Sequence, residues 1–237
     1  MNTKTRIVRS FELVESMWLQ AQDMGNALVA MTEAALGQGE LKDLRSAGSA
    51  KTIYQRSASQ WTYTACAISL PVMEKRRRKV EPNAWINYQI SLHGSGLPLQ
   101  RGSQETIGPL VHVSFWHEAT DFDDPQRSIH FPPEWDDWDL KDGRLLFWDS
   151  ETEGGLPQWT FSVSLLDLND EAALRTRILE PIRALLAGEL TTAALPDGLP
   201  GLVFYTNEDQ GDAGWTLLAG DAATAGAAVL PPDAQRG

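Results

Sequence analysis

Apolar residues recur at three- and four-residue spacing from Phe11 to Met31 (Phe11, Val14, Trp18, Ala21, Gly25, Leu28, Met31), which predicts one long amphipathic helix over 11–36. Ser10 is its expected N-cap, Glu12 and Glu15 suit the first turns, and Gly37 with Gly39 supply the stop. Residues 37–51 read as a linker. The period then changes to two. Strands are expected at 52–58, 60–73, 84–93, 109–117, 144–149 and 158–166, between loops rich in Pro, Gly and charge. A second helix is expected over 170–187, capped by Asn169, with Leu174, Ile178, Ile182 and Leu185 on its buried stripe. Pro181 should kink or restart it. Leu202 to Tyr205 makes a last short strand, and the Ala/Gly/Pro-rich segment 219–237 reads as a disordered tail.

Helix, consecutive strands, helix and strand imply an α+β fold with a mostly antiparallel sheet of about six to seven strands. A single domain over 1–218 holds all of it, with the sheet at 52–167.

Alternation within two strands sets up a specific expectation. In 84–93, Ile86, Tyr88, Ile90 and Leu92 point one way, while Trp85, Asn87, Gln89, Ser91 and His93 point the other. In 109–117, Val111, Val113 and Phe115 share a face opposite His112, Ser114 and Trp116. If the two strands pair, the polar-aromatic sets lie side by side. A solvated sheet face usually carries Lys, Glu, Arg and Thr, so this one is suited to being covered. The cover is either helix 11–36 or a ligand that stacks on Trp85 and Trp116, bonds Asn87 and Gln89, and uses His112 as general base.

Charge adds a second asymmetry. Residues 1–118 carry 13 Lys+Arg against 10 Asp+Glu, and residues 119–237 carry 7 against 22, so a net of +3 precedes a net of −15. The acidic half repels nucleic acid and membrane and attracts basic proteins or cations. Much of it lies in 116–139, where eight carboxylates stand against Arg127 alone, interleaved with Trp116, Phe122, Phe131, Trp135 and Trp138. Either the aromatics pin a loop onto the core, or they are anchors in a rim of charge that meets a partner. A hard-cation site fits less well. Lys141 stands where an EF-hand loop needs its third oxygen ligand, and Gly143 falls one position late. His117-Glu118-Ala119-Thr120-Asp121 has the outline of a zinc HExxH with Asp last, but it ends a strand pattern, where the two ligands cannot share a helix face.

The opposite outlier is Lys75-Arg76-Arg77-Arg78-Lys79, five bases between two strands, either a soluble loop tip or a local phosphate contact. Cys66 is the sole cysteine, so neither an intramolecular disulfide nor a multi-cysteine zinc site is available, and its place in an alternating apolar run reads as core. No stretch approaches the ~20 apolar residues of a membrane span. Glu12 and Glu15 interrupt any secretory leader, so a cytoplasmic location is expected. Glycine-rich nucleotide loops and a GxSxG elbow are absent, and no cofactor is called for.

The expected function is a non-enzymatic, tryptophan-rich acidic interaction module of inhibitor, immunity or adaptor type, such as serves bacterial complexes. It would dock a basic protein, with Trp135 and Trp138 as anchors and Glu134, Asp136, Asp137 and Asp139 steering. One alternative is a small-ligand or hydrolytic domain using the polar-aromatic face. A second is a nucleic-acid-handling assembly contacted through turn 75–79.

Overall fold

The computed structural model describes residues 3–41, 43–56, 63–76, 81–92, 108–124, 127–128, 138–148, 156–209 and 215–220, with backbone alone at 3–7, 11, 207–209 and 215–220. Helix α1 (Thr3–Gln38) is followed by strands β1 (Leu44–Ser46), β2 (Lys51–Arg56), β3 (Tyr63–Glu74), β4 (Ala84–Ser91), β5 (Leu110–Trp116), β6 (Asp139–Lys141), β7 (Leu145–Trp148) and β8 (Gln158–Ser164). A helical run follows as α2 (Glu171–Leu174), a π turn (Arg175–Leu179) and α3 (Glu180–Leu186), and then a short α4 (Thr191–Ala194). Strands β9 (Phe204–Asp209) and β10 (Trp215–Gly220) form a two-stranded ribbon. The fold is α+β, as the pattern predicts.

The main sheet runs β1-β3-β4-β5-β8-β7-β6, with β2 also on β3, and every pairing is antiparallel. β1 and β2 share one edge of the long β3, pairing with Val72–Glu74 and Tyr63–Ser69 respectively. Pro71 sits in the gap between them. Its carbonyl accepts from the Ala47 N–H at 2.9 Å, so the side of β3 that lacks a donor faces this interrupted edge and not β4.

One face of the sheet is apolar. Leu70, Ile86, Tyr88, Val113, Phe115 and Phe161 on it are buried and pack into one core with Leu28 of α1 and Ile178 and Ile182 of the later helices. Small residues bring α1 close. Ala21, Gly25, Leu28, Thr32 and Ala35 are buried at spacings of four, three, four and three. A Cβ at Gly25 would stand 2.5 Å from Ile68 Cδ1, so glycine lets the helix approach without displacing that methyl. Trp18 stacks on Tyr63 with ring centroids 4.8 Å apart, at the β2–β3 end of the sheet.

Several boundaries differ from expectation. α1 starts at Thr3, which leaves Ser10 inside the helix and not at its N-cap. Nothing in 3–9 is Pro or Gly, so helix propagates through it. Its far end closes as expected: Gly39 adopts φ 78°, and Glu40 N–H to Ala35 O (2.9 Å) with Gly39 N–H to Leu36 O (3.2 Å) make a Schellman turn. The linker 37–51 contains β1. Asp170, not Asn169, caps the second helix, its Oδ1 accepting from Ala173 N–H at 2.7 Å. The effect of Pro181 is the π turn just before it, where Glu180 N–H reaches Arg175 O. This register shift falls where proline removes a helical donor. Leu202 bridges Val163 of β8 before the chain enters β9. Ala219 and Gly220, expected in the tail, end β10, and 221–237 lie outside the described residues.

Candidate functional site

The polar-aromatic sets of β4 and β5 do lie side by side. Trp85 pairs with Trp116, Asn87 with Ser114, and Gln89 with His112. Registers with the flanking strands extend this into two cross-sheet rows, Ser69–Asn87–Ser114–Thr160 and Gln89–His112–Ser162. The alternation of Thr160 and Ser162 against Trp159, Phe161 and Val163 carries the signal for these extra members. All seven residues are buried, and Trp85 is half-buried with Lys51 Nζ 4.9 Å above its ring.

Helix α1 does not cover this face. It lies on the opposite, apolar side, because its small-residue stripe fits there and Thr32 Oγ1 meets the Tyr88 hydroxyl at 2.5 Å. Two other segments contribute the cover. The stretch after β5 folds back, so that Thr120 N–H donates to Ser69 Oγ (3.0 Å) and Asn87 Oδ1 (3.3 Å) while Asn87 Nδ2 donates to Glu118 O (3.2 Å). From the other end, Val203 and Tyr205 join Leu110, Trp116, Leu146 and Trp148 in a second apolar cluster.

The polar groups satisfy one another beneath this cover. Trp116 Nε1 donates to Thr160 Oγ1 at 3.1 Å, which donates to Ser114 Oγ at 2.9 Å. The Tyr205 hydroxyl donates to Ser162 Oγ, and Ser162 Oγ stands 2.6 Å from His112 Nδ1. With Tyr205 as donor, the Ser162 proton is available for Nδ1. Burial drives the His112 pKa down to about 3, so the ring is neutral at physiological pH. A serine at this distance from an imidazole has the spacing of a nucleophile and its base. Here both side chains are fully buried and Ser162 also receives the tyrosine proton, so the trio serves as an internal hydrogen-bonded chain.

The acid-rich stretch is organised by a residue the sequence singled out only as an exception. Arg127 reaches Glu118 Oε2 (3.0 Å), Asp121 Oδ2 (2.8 Å) and Asp124 Oδ2 (3.0 Å). Its guanidinium occupies the place that a cation would take among these carboxylates. The hydrogen bond it donates to Glu118 is the foremost reason its pKa rises further above the ordinary value. His117 Nε2 lies 2.8 Å from Leu156 O and the His117 backbone N–H donates to Gln158 Oε1, away from Glu118's bond to Arg127. Among the described residues no three of His, Cys, Asp or Glu converge on a metal position.

Of the expected partner-binding residues, Glu134, Trp135, Asp136 and Asp137 lie outside the described residues. Trp138 packs half-buried against the second cluster, and Asp139 is exposed at the start of β6. In the basic turn, Lys75 and Arg76 are exposed, while Arg77, Arg78 and Lys79 lie outside the described residues. Lys75 Nζ lies 3.7 Å from where a Cβ at Gly39 would stand, so its charge faces the C-terminal carbonyls of α1. Cys66 is buried, with its thiol pKa pushed up to about 11 by desolvation. Among the described residues no helix is long and apolar enough to cross a membrane.

No protein-family model, no curated protein and no solved structure matches this chain.

Proposed function

We propose that this chain is a non-enzymatic acidic interaction module that docks a basic protein, in the manner of an inhibitor, an immunity protein or an adaptor. The observation that carries the reading is the placement of Trp138 and Asp139. β6 is the outermost strand on its side of the sheet, Trp138 roots it in the second cluster, and Asp139 beside it is exposed. Glu134, Trp135, Asp136 and Asp137 immediately precede this root in the sequence. A net of −15 over residues 119–237 supplies long-range attraction for a basic surface, which raises the association rate and selects against acidic competitors.

The test is capture of partners from the native host at low salt, elution by a salt gradient, and titration of the protein recovered. Replacing Glu134→Gln, Asp136→Asn, Asp137→Asn and Asp139→Asn removes charge and keeps Trp138 itself. The quadruple variant is expected to bind at least tenfold more weakly and to show a shallower salt dependence. A partner held equally well by the variant, or released independently of salt, overturns the proposal. If nucleic acid is recovered in place of protein, turn 75–79 becomes the surface to examine.

A further inference from the structure

An open groove of about 840 Å³ runs between α1 and the start of the later helical run, apart from the polar sheet face and from β6. Its floor is Met24 and Met31 of α1 with Leu168 and Leu174 opposite. Asp23, Asp170 and Glu171 are exposed along its rim.

The wall that α1 contributes is part of a longer pattern. Leu13, Met17, Gln20, Met24, Ala27, Met31 and Ala34 follow at spacings of four, three, four, three, four and three. That is the spacing of a coiled-coil seam, and it is distinct from the stripe that α1 buries against the sheet. At its N-terminal end the seam leaves the protein behind. Leu13 is 61% exposed, and Val8, further out, is 54% exposed. Met17 is half-buried.

Charge along α1 has the matching polarity. Residues 3–11 contain Lys4, Arg6 and Arg9 and no acid, which is the unfavourable sign for a helix N-terminus. The groove rim, further along the same helix, is acidic. One end of α1 is thus complementary to the groove beside its other end.

We propose that the groove seats the N-terminal turns of α1 from a second copy, giving an antiparallel, two-fold symmetric dimer whose axis passes near Met17. Each α1 then lays its seam against the other. Because the groove centres near Ala27 and the seated segment near residue 8, paired positions sum to between about 32 and 35, which brings Met17 beside Met17 and Arg9 within a turn of Asp23 of the other copy. Both Arg9 and Asp23 are exposed in the single chain. Ala27 and Ala34 at alternate seam positions permit close helix approach. The contact is isologous, so both grooves fill at once and the assembly stops at two.

Sedimentation equilibrium of the full chain tests this, with circular dichroism confirming that each variant keeps its helix content. The expected result is a dimer, weakened at least tenfold by Met17→Glu and by Arg9→Asp, and restored towards wild type by combining Arg9→Asp with Asp23→Arg. Met17→Cys should cross-link to itself with a short bismaleimide, whereas the parent, with only buried Cys66, should not. A monomer at all concentrations overturns the proposal and leaves the groove to a helix of another protein. A dimer indifferent to Met17→Glu, or one in which the charge swap fails to rescue, also overturns it. None of these outcomes depends on whether the β6 region docks a basic partner.

Discussion

The Oγ of Ser162 lies 2.6 Å from the Nδ1 of His112, on neighbouring strands and in direct register, with both side chains out of reach of solvent. Cross-strand pairing of β5 and β8 sets that distance, and Tyr205 arrives from the far end of the chain to complete the set. The contact therefore reports on whether strands far apart in sequence have closed correctly.

The histidine makes stability depend on acidity. Its folded pKa of about 3 lies below the ordinary 6.5, so the unfolded chain takes up a proton that the folded chain does not. The contribution is complete above pH 6.5 and declines as pH falls towards 3, by about 1.4 kcal/mol per pH unit at most. Urea unfolding at pH 7.5 and 5 should show the stability difference between wild type and His112→Gln shrink by about 2 kcal/mol at the lower pH. A pH-independent difference would mean that the imidazole is not held neutral.

Thr32 and Tyr88 tie α1 to β4. Thr32 Oγ1 donates to Leu28 O at 2.8 Å, which assigns the proton between the two hydroxyls to Tyr88. Thr32→Val strands the buried phenol and is expected to cost about 1–3 kcal/mol, and Tyr88→Phe about 0.5–1.5 kcal/mol. The double variant should be less destabilised than the two costs added. Strict additivity in denaturant titrations would show that the contact carries no coupling.

Gly25→Ala sets helix propensity against space. Alanine favours the helix by about 1 kcal/mol, but its Cβ would displace Ile68 Cδ1, the end of a buried side chain that must re-pack. A net loss of up to about 1 kcal/mol is expected. Shortening the obstacle with Ile68→Val should recover it in the double variant. If Gly25→Ala alone stabilises the protein, the Ile68 methyl gives way without cost and helix propensity decides the outcome.

Arg127 controls the segment that lies over Ser69 and Asn87. Beyond its three carboxylates, its carbonyl accepts from Asp121 N–H at 2.8 Å. Arg127→Met leaves three acids facing one another. Hydrogen exchange at the Thr120 amide, which is bonded to Ser69 and Asn87, should accelerate at least tenfold, while amides of β4 and β5 keep their protection. Unchanged exchange at Thr120 would show that the cover is held by the sheet side chains alone.

Local periodicity made most of the architecture legible. The α1 stripe, six strands and the two-faced character of β4 and β5 all follow from residues close together in the chain, and the polar row was readable before its neighbours were known. Long-range events were not. Which face α1 covers depends on Gly25 meeting Ile68 and on Thr32 meeting Tyr88, 43 and 56 positions apart. β1 is three residues long and exists because β3 offers it an edge. β10 was hidden because Trp215–Gly220 runs straight into Ala/Gly-rich sequence, so its pairing with β9 left no alternation to see. The three partners of Arg127 lie three to nine residues away, yet their convergence requires the turn of the loop and not a helical or strand period.

Between Ser69 and Thr160 the strands are covered on both sides, by helices on one and by the chain's own returning segments on the other. Such a sheet resembles the filling of a sealed container: its contents set whether the box closes, and contribute nothing to its outside. A change at exposed Leu13 of α1 or exposed Asp139 of β6 can therefore be made without repacking these rows. The surface and the sheet interior are in that sense written in different residues, and a change in one need not put the other at risk.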